Sequence, residues 1–423
     1  MNLKRFVFLT LAFFVLLEIF LRFYQIEALS YFRSLKVIHQ YNPNYFVGLK
    51  PNTRVYIKHY TGKWEGEFSI NSLGLRNLEE ADPNLKKILC LGDSLVMGFG
   101  VSDKETFCYL LNEKFKQHGY QFLNAGVDGL GSWGYYQRLK ELLERVNQID
   151  TVLLFVSPND FTMPEVFLQR GILPDDVVEK KRLEDPQKKF FDTAQFVLTD
   201  WFYSFYVIKL TVKQMLLKFA IIKAELQIEL EKTKNSTFIN YIKESFLLPN
   251  KPVECIPKEE KKKIYKTLGS SYNAPQKILF SKPQQCPEEV PSSILKECRD
   301  FPKEIPDLPE FTKKAYQNIL ELSLKHHFRL IVVILPMQIE EIYCNNINQY
   351  HPLRMYALQA KQYFEKNQIE VWDLMENTKT LCKQNEYGIT DHFIPEDGHL
   401  TKLGNVWVSE NLYNYLVKYL GDR

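Results

Sequence analysis

Apolar residues in this chain fall into short blocks with two different periods. Ile88 to Leu91, Thr151 to Val156 and Leu330 to Leu335 are nearly continuous apolar runs, the pattern of buried strands. Phe122 to Val127 and Gln368 to Leu374 read as two further short strands. Between these blocks the spacing becomes helical. Phe107, Tyr109, Leu110, Leu111 and Phe115 share one face of a helix predicted over Thr106 to Gln117. Helices are also predicted over Tyr135 to Val146, Phe311 to Phe328, Arg354 to Asn367 and Thr401 to Leu420. Strands that alternate with helices at this spacing predict an α/β fold around a parallel sheet.

Three stretches break the alternation. Phe6 to Tyr24 is almost wholly apolar, interrupted only by Thr10, Glu18 and Arg22, and follows Lys4 and Arg5. As a helix it would span about 28 Å, close to the thickness of a bilayer core. Glu18 and Arg22 are four apart and share a face on which they can pair. The basic flank predicts an amino terminus in the cytoplasm and the rest of the chain outside. A cleaved signal peptide and a buried globular helix are the rivals, but no clean small-x-small cleavage site follows the run. An uncleaved signal anchor over residues 1–27 is therefore the expectation.

Tyr41 to Arg76 carries Asn42-Pro43-Asn44, Pro51-Asn52 and Gly62-Lys63, with alternation through Arg54-Val55-Tyr56-Ile57-Lys58, and predicts β-hairpins within residues 28–84. Asn71 to Arg76 reads as a turn closing that layer, or else Arg76 reaches the site. The third break is an insertion over residues 162–309. Its first part, Pro186 to Leu248, is aromatic, lysine-rich and helical in pattern, a cap on the sheet or an interfacial surface facing lipid. Pro249 to Pro309 is proline-rich with the charge run Lys258 to Lys263, and predicts an irregular loop. Residues 85–161 and 310–423 then make up the sheet domain.

Composition narrows the class of function. A net charge of +3 over 423 residues gives no electrostatic footprint for nucleic acid. No zinc-type spacing of Cys or His is present, so no metal is expected. Of seven cysteines, Cys90 and Cys108 fall on a core strand and an apolar helix and read as buried thiols. Some of Cys255, Cys286, Cys298, Cys344 and Cys382 can pair if the chain is exported.

The candidate chemistry gathers where the strands end. Ile88 to Leu91 runs into Gly92-Asp93-Ser94, a tight turn that places the Ser94 hydroxyl at the carboxyl edge of the sheet, where open α/β sheets hold their ligands. Acyl transfer needs a nucleophile, a base, a group to orient the base and donors for an oxyanion. His399 is the base candidate, with Glu396 and Asp397 just upstream as orienting acids. Gly126 and Asn159 end the second and third strands and can donate to an oxyanion, one through its backbone N–H and one through its side-chain amide.

With Gly92-Asp93-Ser94-Leu95, Asn124-Ala125-Gly126, Asn159-Asp160 and Asp397-Gly398-His399 in that order, the chain resembles the SGNH (GDSL-like) hydrolase superfamily. The resemblance covers about Leu85 to Phe161 and Phe311 to Leu420 and leaves the insertion out. It implies a three-layer α/β/α sandwich with a flavodoxin-like parallel sheet. It also implies a serine esterase without metal or organic cofactor, in which Ser94 attacks and His399 takes its proton. Ser94 and Gly126 N–H groups and the Asn159 amide would hold the oxyanion. Two departures stand out. Ser157 replaces a glycine frequent in the third block, and the family's acid often stands three residues before the histidine, here Glu396. A related acetyl-transfer branch uses the closer spacing of Asp397, which favours Asp397. The expected substrate is an acyl ester of a glycan or lipid. An O-acyltransferase on the same fold and a binding protein without turnover are the alternatives.

The anchor reading predicts that the intact protein stays with membranes through a carbonate wash. Recovery in the soluble fraction with an amino terminus beyond Phe20 would overturn it.

Overall fold

The computed structural model describes residues 3–24, 27–157, 185–209, 211–212, 215, 295–336, 339–381, 389–394 and 397–421. The chain starts with the apolar helix α1 (Leu3–Phe23), followed by α2 (Glu27–Ile38). Two antiparallel hairpins come next, β1 (His39–Asn42) with β2 (Phe46–Leu49), and β3 (Thr53–Lys58) with β4 (Glu65–Ile70). The hairpin expectation is met. α2 is an addition to the predicted elements, its apolar residues interleaved with Ser30, Arg33, Ser34 and Lys36.

The sheet domain then alternates as its pattern predicts. It runs β5 (Lys86–Leu91), the one-turn helix α3 (Ser94–Met97), α4 (Phe107–Phe115), β6 (Tyr120–Asn124), α5 (Ser132–Arg145) and β7 (Ile149–Val156). After α6 (Pro186–Trp201) of the insertion, it resumes with α7 (Glu310–His326), β8 (Arg329–Ile334), α8 (Ile339–Asn346), α9 (Met355–Lys366), β9 (Glu370–Asp373) and α10 (Lys402–Gly421). Five strands form one parallel sheet in the order β6-β5-β7-β8-β9. Counted within the sheet this is 2-1-3-4-5, the flavodoxin-like doubly wound order.

Strand side chains alternate between two separate cores, which is what makes three layers. Ile88, Cys90, Phe122, Leu153, Phe155, Ile331 and Val333 face the side covered by α4 and α10. Leu89, Leu91, Leu123, Val152, Leu154, Val332 and Ile334 face the side covered by α5, α7 and α9. A strand buried on both faces has no polar alternation to display, hence the continuous apolar runs in the sequence. The hairpin layer joins the second core through Ile57, Trp64 and Phe68.

The β6 edge is covered rather than open. Arg76 N–H donates to the Asn124 carbonyl at 3.1 Å. The Asn77 side chain donates to the Phe122 carbonyl and accepts from the Asn124 N–H. Arg138, fully buried, ties the hairpin layer to the sheet edge by donating to the carbonyls of Ala125 and Gly74 and to the Tyr45 hydroxyl. Cys90 and Cys108 are free and buried, and Cys298 is bonded to Cys344, linking the end of the insertion to α8. Of the predicted loop over Pro249 to Pro309, residues 249–294, with Cys255 and Cys286, lie outside the described residues, as does Cys382.

Arg76 is buried as well. Its Nη1 donates to the carbonyls of Met97 and Gly98, Nη2 to those of Glu67 and Val101, and Nε to Asp103 Oδ1 at 3.2 Å. Its guanidinium also lies 3.7 Å from the centre of the Phe68 ring. Burial lowers its pKa while the charge of Asp103 opposes the shift. Of the two readings of this stretch, the turn is the one that forms, closed by the Asn71 N–H on the Leu75 carbonyl and the Gly74 N–H on that of Asn71. Arg76 does not enter the site, but it holds the backbone that follows Ser94.

Replacing Arg76 by Leu removes this scaffold and leaves Asp103 buried without its cation. The expected loss is about 3–5 kcal/mol, the cost of breaking a buried ion pair from one side. Chemical denaturation would measure it. An unchanged unfolding midpoint would mean the loop holds itself.

Candidate active site

Ser94 opens α3 at the carboxyl end of β5. Asp93 caps that helix, its Oδ1 accepting the Leu95 N–H at 2.9 Å. The other carboxylate oxygen of Asp93 accepts the Ser157 hydroxyl at 2.7 Å. Burial raises the Asp93 carboxyl pKa, and the Ser157 and Leu95 hydrogen bonds work against that rise. The residue that departs from the family pattern thus has a structural partner. Ser157 directly follows β7, the neighbour of β5, and fixes the cap of the turn bearing Ser94.

His399 reaches the same place from 305 positions away. Its loop is stapled. Ile394 N–H donates to the His399 carbonyl, Asp397 N–H to that of Ile394, and Thr401 N–H to that of His392. Gly398 adopts φ +84°, a left-handed backbone that glycine enters without penalty. The turn brings the Asp397 carboxylate back onto the imidazole of His399, two residues on.

The result is a three-residue relay. His399 Nε2 stands 2.8 Å from Ser94 Oγ, and His399 Nδ1 is hydrogen-bonded to Asp397 Oδ1. In the tautomer protonated at Nδ1, the ring donates to Asp397 and accepts from the serine hydroxyl. Burial pushes the Asp397 carboxyl up, but the hydrogen bond and charge of His399, with Lys63 and His59, bring it below the ordinary carboxylate value. Such a relay can take the hydroxyl proton as the oxygen attacks a carbonyl carbon. Glu396 and Asn159 lie outside the described residues.

Gly126 is placed against the helix that Ser94 opens, and for a reason other than the one expected. A Cβ there would lie 2.2 Å from the Met97 backbone nitrogen and 2.7 Å from the Val96 carbonyl carbon. Glycine is required so that the loop after β6 can lie against α3, not merely to leave room for substrate. Its N–H donates to Asn124 Oδ1 at 3.1 Å. Asn124 in turn donates to the Val96 carbonyl at 2.8 Å. The Gly126 donor is therefore engaged locally, and use on an oxyanion requires sharing or releasing that bond. The Ser94 N–H, in the first turn of α3, is of the class that has no partner within its own helix.

Several residues that the pattern did not single out converge here. The Phe99 ring centre lies 4.9 Å from that of His399, and Trp64 packs on Phe99 at 4.9 Å. His59 and Tyr31 continue the row, 5.7 Å and 5.8 Å from Trp64. Burial lowers the His59 pKa against the opposing charge of Asp397. Asp128, two residues past Gly126, pairs with His39 Nε2 at 2.5 Å. Burial raises Asp128 and the His39 charge and hydrogen bond lower it further, leaving it below the usual range. The Asp128 and His39 partners are separated by 89 positions, so no local motif could have announced them.

Among the described residues no cluster of His, Cys, Asp or Glu could hold a metal ion. No family model matches the chain, and no curated protein does. Among solved structures it is similar to an acetyl xylan esterase, AlAXEase, at 14% identity and a TM-score of 0.34, over 78% of this chain and 98% of that one. It is also similar to a psychrotrophic esterase from Pseudoalteromonas sp., crystallised after inhibition by monoethylphosphonate, at 12% identity and a TM-score of 0.34, over 79% and 99%. A protein assigned to the lipolytic G-D-S-L family, from Desulfitobacterium hafniense, aligns at 9% identity and 0.33, over 77% and 97%. At these identities and scores the likeness stands as a likeness alone. The class of fold rests on the strand order.

Gly126→Ala is expected to unfold at a lower temperature than the parent, at a cost of about 1–3 kcal/mol, the usual range for overpacking. Thermal unfolding followed by circular dichroism checks it. Wild-type stability would mean that the 125–131 loop moves freely away from α3.

Proposed function

We propose that this chain is a serine esterase of the SGNH type, held to a membrane by α1 and acting on acyl esters of a glycan or lipid. One observation carries the reading. The Ser94 hydroxyl, the His399 imidazole and the Asp397 carboxylate form a continuous hydrogen-bonded row at the carboxyl edge of the sheet. In this reading Ser94 Oγ attacks the ester carbonyl and passes its proton to His399 Nε2. His399 then returns the proton to the departing alkoxide. Water repeats the sequence on the acyl-enzyme and frees the acid. The oxyanion is held by the Ser94 N–H and the Asn159 amide, with Gly126 N–H joining once Asn124 releases it. Asp397 holds the imidazole in the Nδ1-protonated tautomer and balances the imidazolium, and Glu396 has no part in this.

Two features support a membrane-bound protein with its domain outside the cytoplasm. α1 is long and apolar enough to cross a bilayer and only 6% of its apolar window is buried. The Cys298–Cys344 bond suits an oxidising compartment. An acyltransferase is the second reading. It is favoured by the aromatic row from Phe99 to Tyr31, which adds an apolar wall beside His399 and can limit water at the acyl-enzyme.

The test follows p-nitrophenol release from its acetate ester through the first turnovers, with detergent-solubilised full-length protein. Steady turnover is expected, lost in Ser94→Ala and reduced about 10²–10⁴-fold in Asp397→Ala, in the range seen when the orienting acid of such a relay is lost. Glu396→Ala should stay near wild type. A burst of about one equivalent and then a stall would favour the transferase. Equal rates in wild type and Ser94→Ala would remove Ser94 as the nucleophile.

A further inference from the structure

The insertion is attached to the end of α1 by a specific set of polar bonds. Glu18, on α1, accepts the Tyr203 N–H at 3.1 Å, the Ser204 N–H at 2.8 Å and the Ser204 hydroxyl at 2.8 Å. These N–H groups open the helical stretch over 203–209, so Glu18 acts as its cap. One turn further along α1, Arg22 donates to Glu18 at 2.8 Å and to the Trp201 carbonyl at 2.9 Å. The guanidinium groups of Arg22 and Arg33 lie 5.2 Å and 3.9 Å from the Tyr203 ring, and Lys36 lies 4.9 Å from that of Tyr206. A carboxylate in an apolar spanning helix is costly without partners, and here the insertion supplies them.

The same segment turns large apolar side chains to the outside. Trp201 and Phe190 are each 69% exposed, Phe191 67% and Met215 57%. Scattered exposed apolar residues are ordinary, but these sit on a segment fastened to the end of an equally exposed apolar helix. Glu18 lies five residues before the end of α1, about 7.5 Å along the axis at 1.5 Å per residue. That depth matches the headgroup and acyl boundary, where amphipathic helices bury their apolar faces about 5–10 Å. Trp, Tyr, Arg and Lys are the residues that settle at that level.

Given the anchoring proposed above, we infer that residues 186–209, with Met215, form an interfacial foot. It rests in the headgroup layer of the same phospholipid bilayer that α1 crosses, with Phe190, Phe191, Trp201 and Met215 in contact with lipid. The catalytic domain then has two fixed points on the membrane instead of one. It is oriented on the surface rather than swinging from a tether, and esters presented at that surface are its accessible substrates.

The test uses the full chain reconstituted into phosphatidylcholine vesicles in which one acyl chain is brominated near the headgroup. Of the other tryptophans, Trp64, Trp372 and Trp407 are buried in the domain, and Trp133 lies on α5. Bromolipid should quench part of the tryptophan emission, and that part should be missing in Trp201→Phe. Glu18→Ala, which frees the 203–209 stretch from α1, should lose quenching while keeping Trp201. Flotation of the vesicles separates the two levels. Protein that fails to float overturns the anchor and the foot with it. Protein that floats but shows equal quenching in wild type and Trp201→Phe overturns the foot alone. Crosslinking of one copy to another through the 186–209 surface, with no quenching, would also overturn it, by assigning the surface to a second copy.

Discussion

A single buried guanidinium sets the backbone on which this site depends. The loop from Met97 to Val101 bends back behind Ser94, and its carbonyls turn inward. Carbonyls pointing into a core must find donors, since a buried acceptor without one forfeits its hydration for nothing. Arg76 supplies five N–H groups in one rigid plane, a geometry that lysine cannot reproduce. Asp103 balances the charge and at the same time accepts the Ser69 N–H, so strand β4 is part of the same knot. The Ser94 turn, the Phe99 ring against His399 and the hairpin layer are thereby placed by one side chain.

Around that knot the site is assembled from pieces that are rigid for different reasons. Asp93 is held from both sides by Leu95 and Ser157. The His399 loop is held by its own backbone bonds and by the left-handed Gly398. The loop after β6 is held by direct backbone approach at Gly126. For the proposed esterase, positioning of this kind lets a weak nucleophile act, because the geometry is fixed before a substrate arrives.

Much of this was visible in the sequence, and the reason is local. The strands of the sheet are buried on both faces, so their apolar runs survive as a one-dimensional signal. Ser94 and His399 stand in short motifs at the ends of such runs. Asp397 was legible as one of two neighbouring acids, and its contact with Nδ1 is consistent with the closer spacing. What the sequence hid is non-local or ambiguous. The side-chain bonds of Arg76 reach 9 to 27 positions along the chain, and Asp128 meets His39 across 89. The engagement of Gly126 N–H by Asn124 depends on a side-chain rotamer that no pattern encodes. α2 is short, and Ser30, Arg33, Ser34 and Lys36 interrupt its apolar residues, so the pattern there is less plain than in the sheet strands.

α2 also changes what it means to speak of a soluble form of this domain. Tyr31 sits only four residues into α2 from Glu27, and its ring closes the aromatic row that leads through Trp64 and Phe99 to His399. Burial, with the charges of Asp397 and Asp128, drives the Tyr31 hydroxyl pKa upward, so this side chain senses the same field as the relay. A cut just behind α1 leaves Tyr31 on a newly made helix end, where fraying is easiest. Under the anchoring proposed above, separating the domain from α1 therefore disturbs the row of rings that ends on His399.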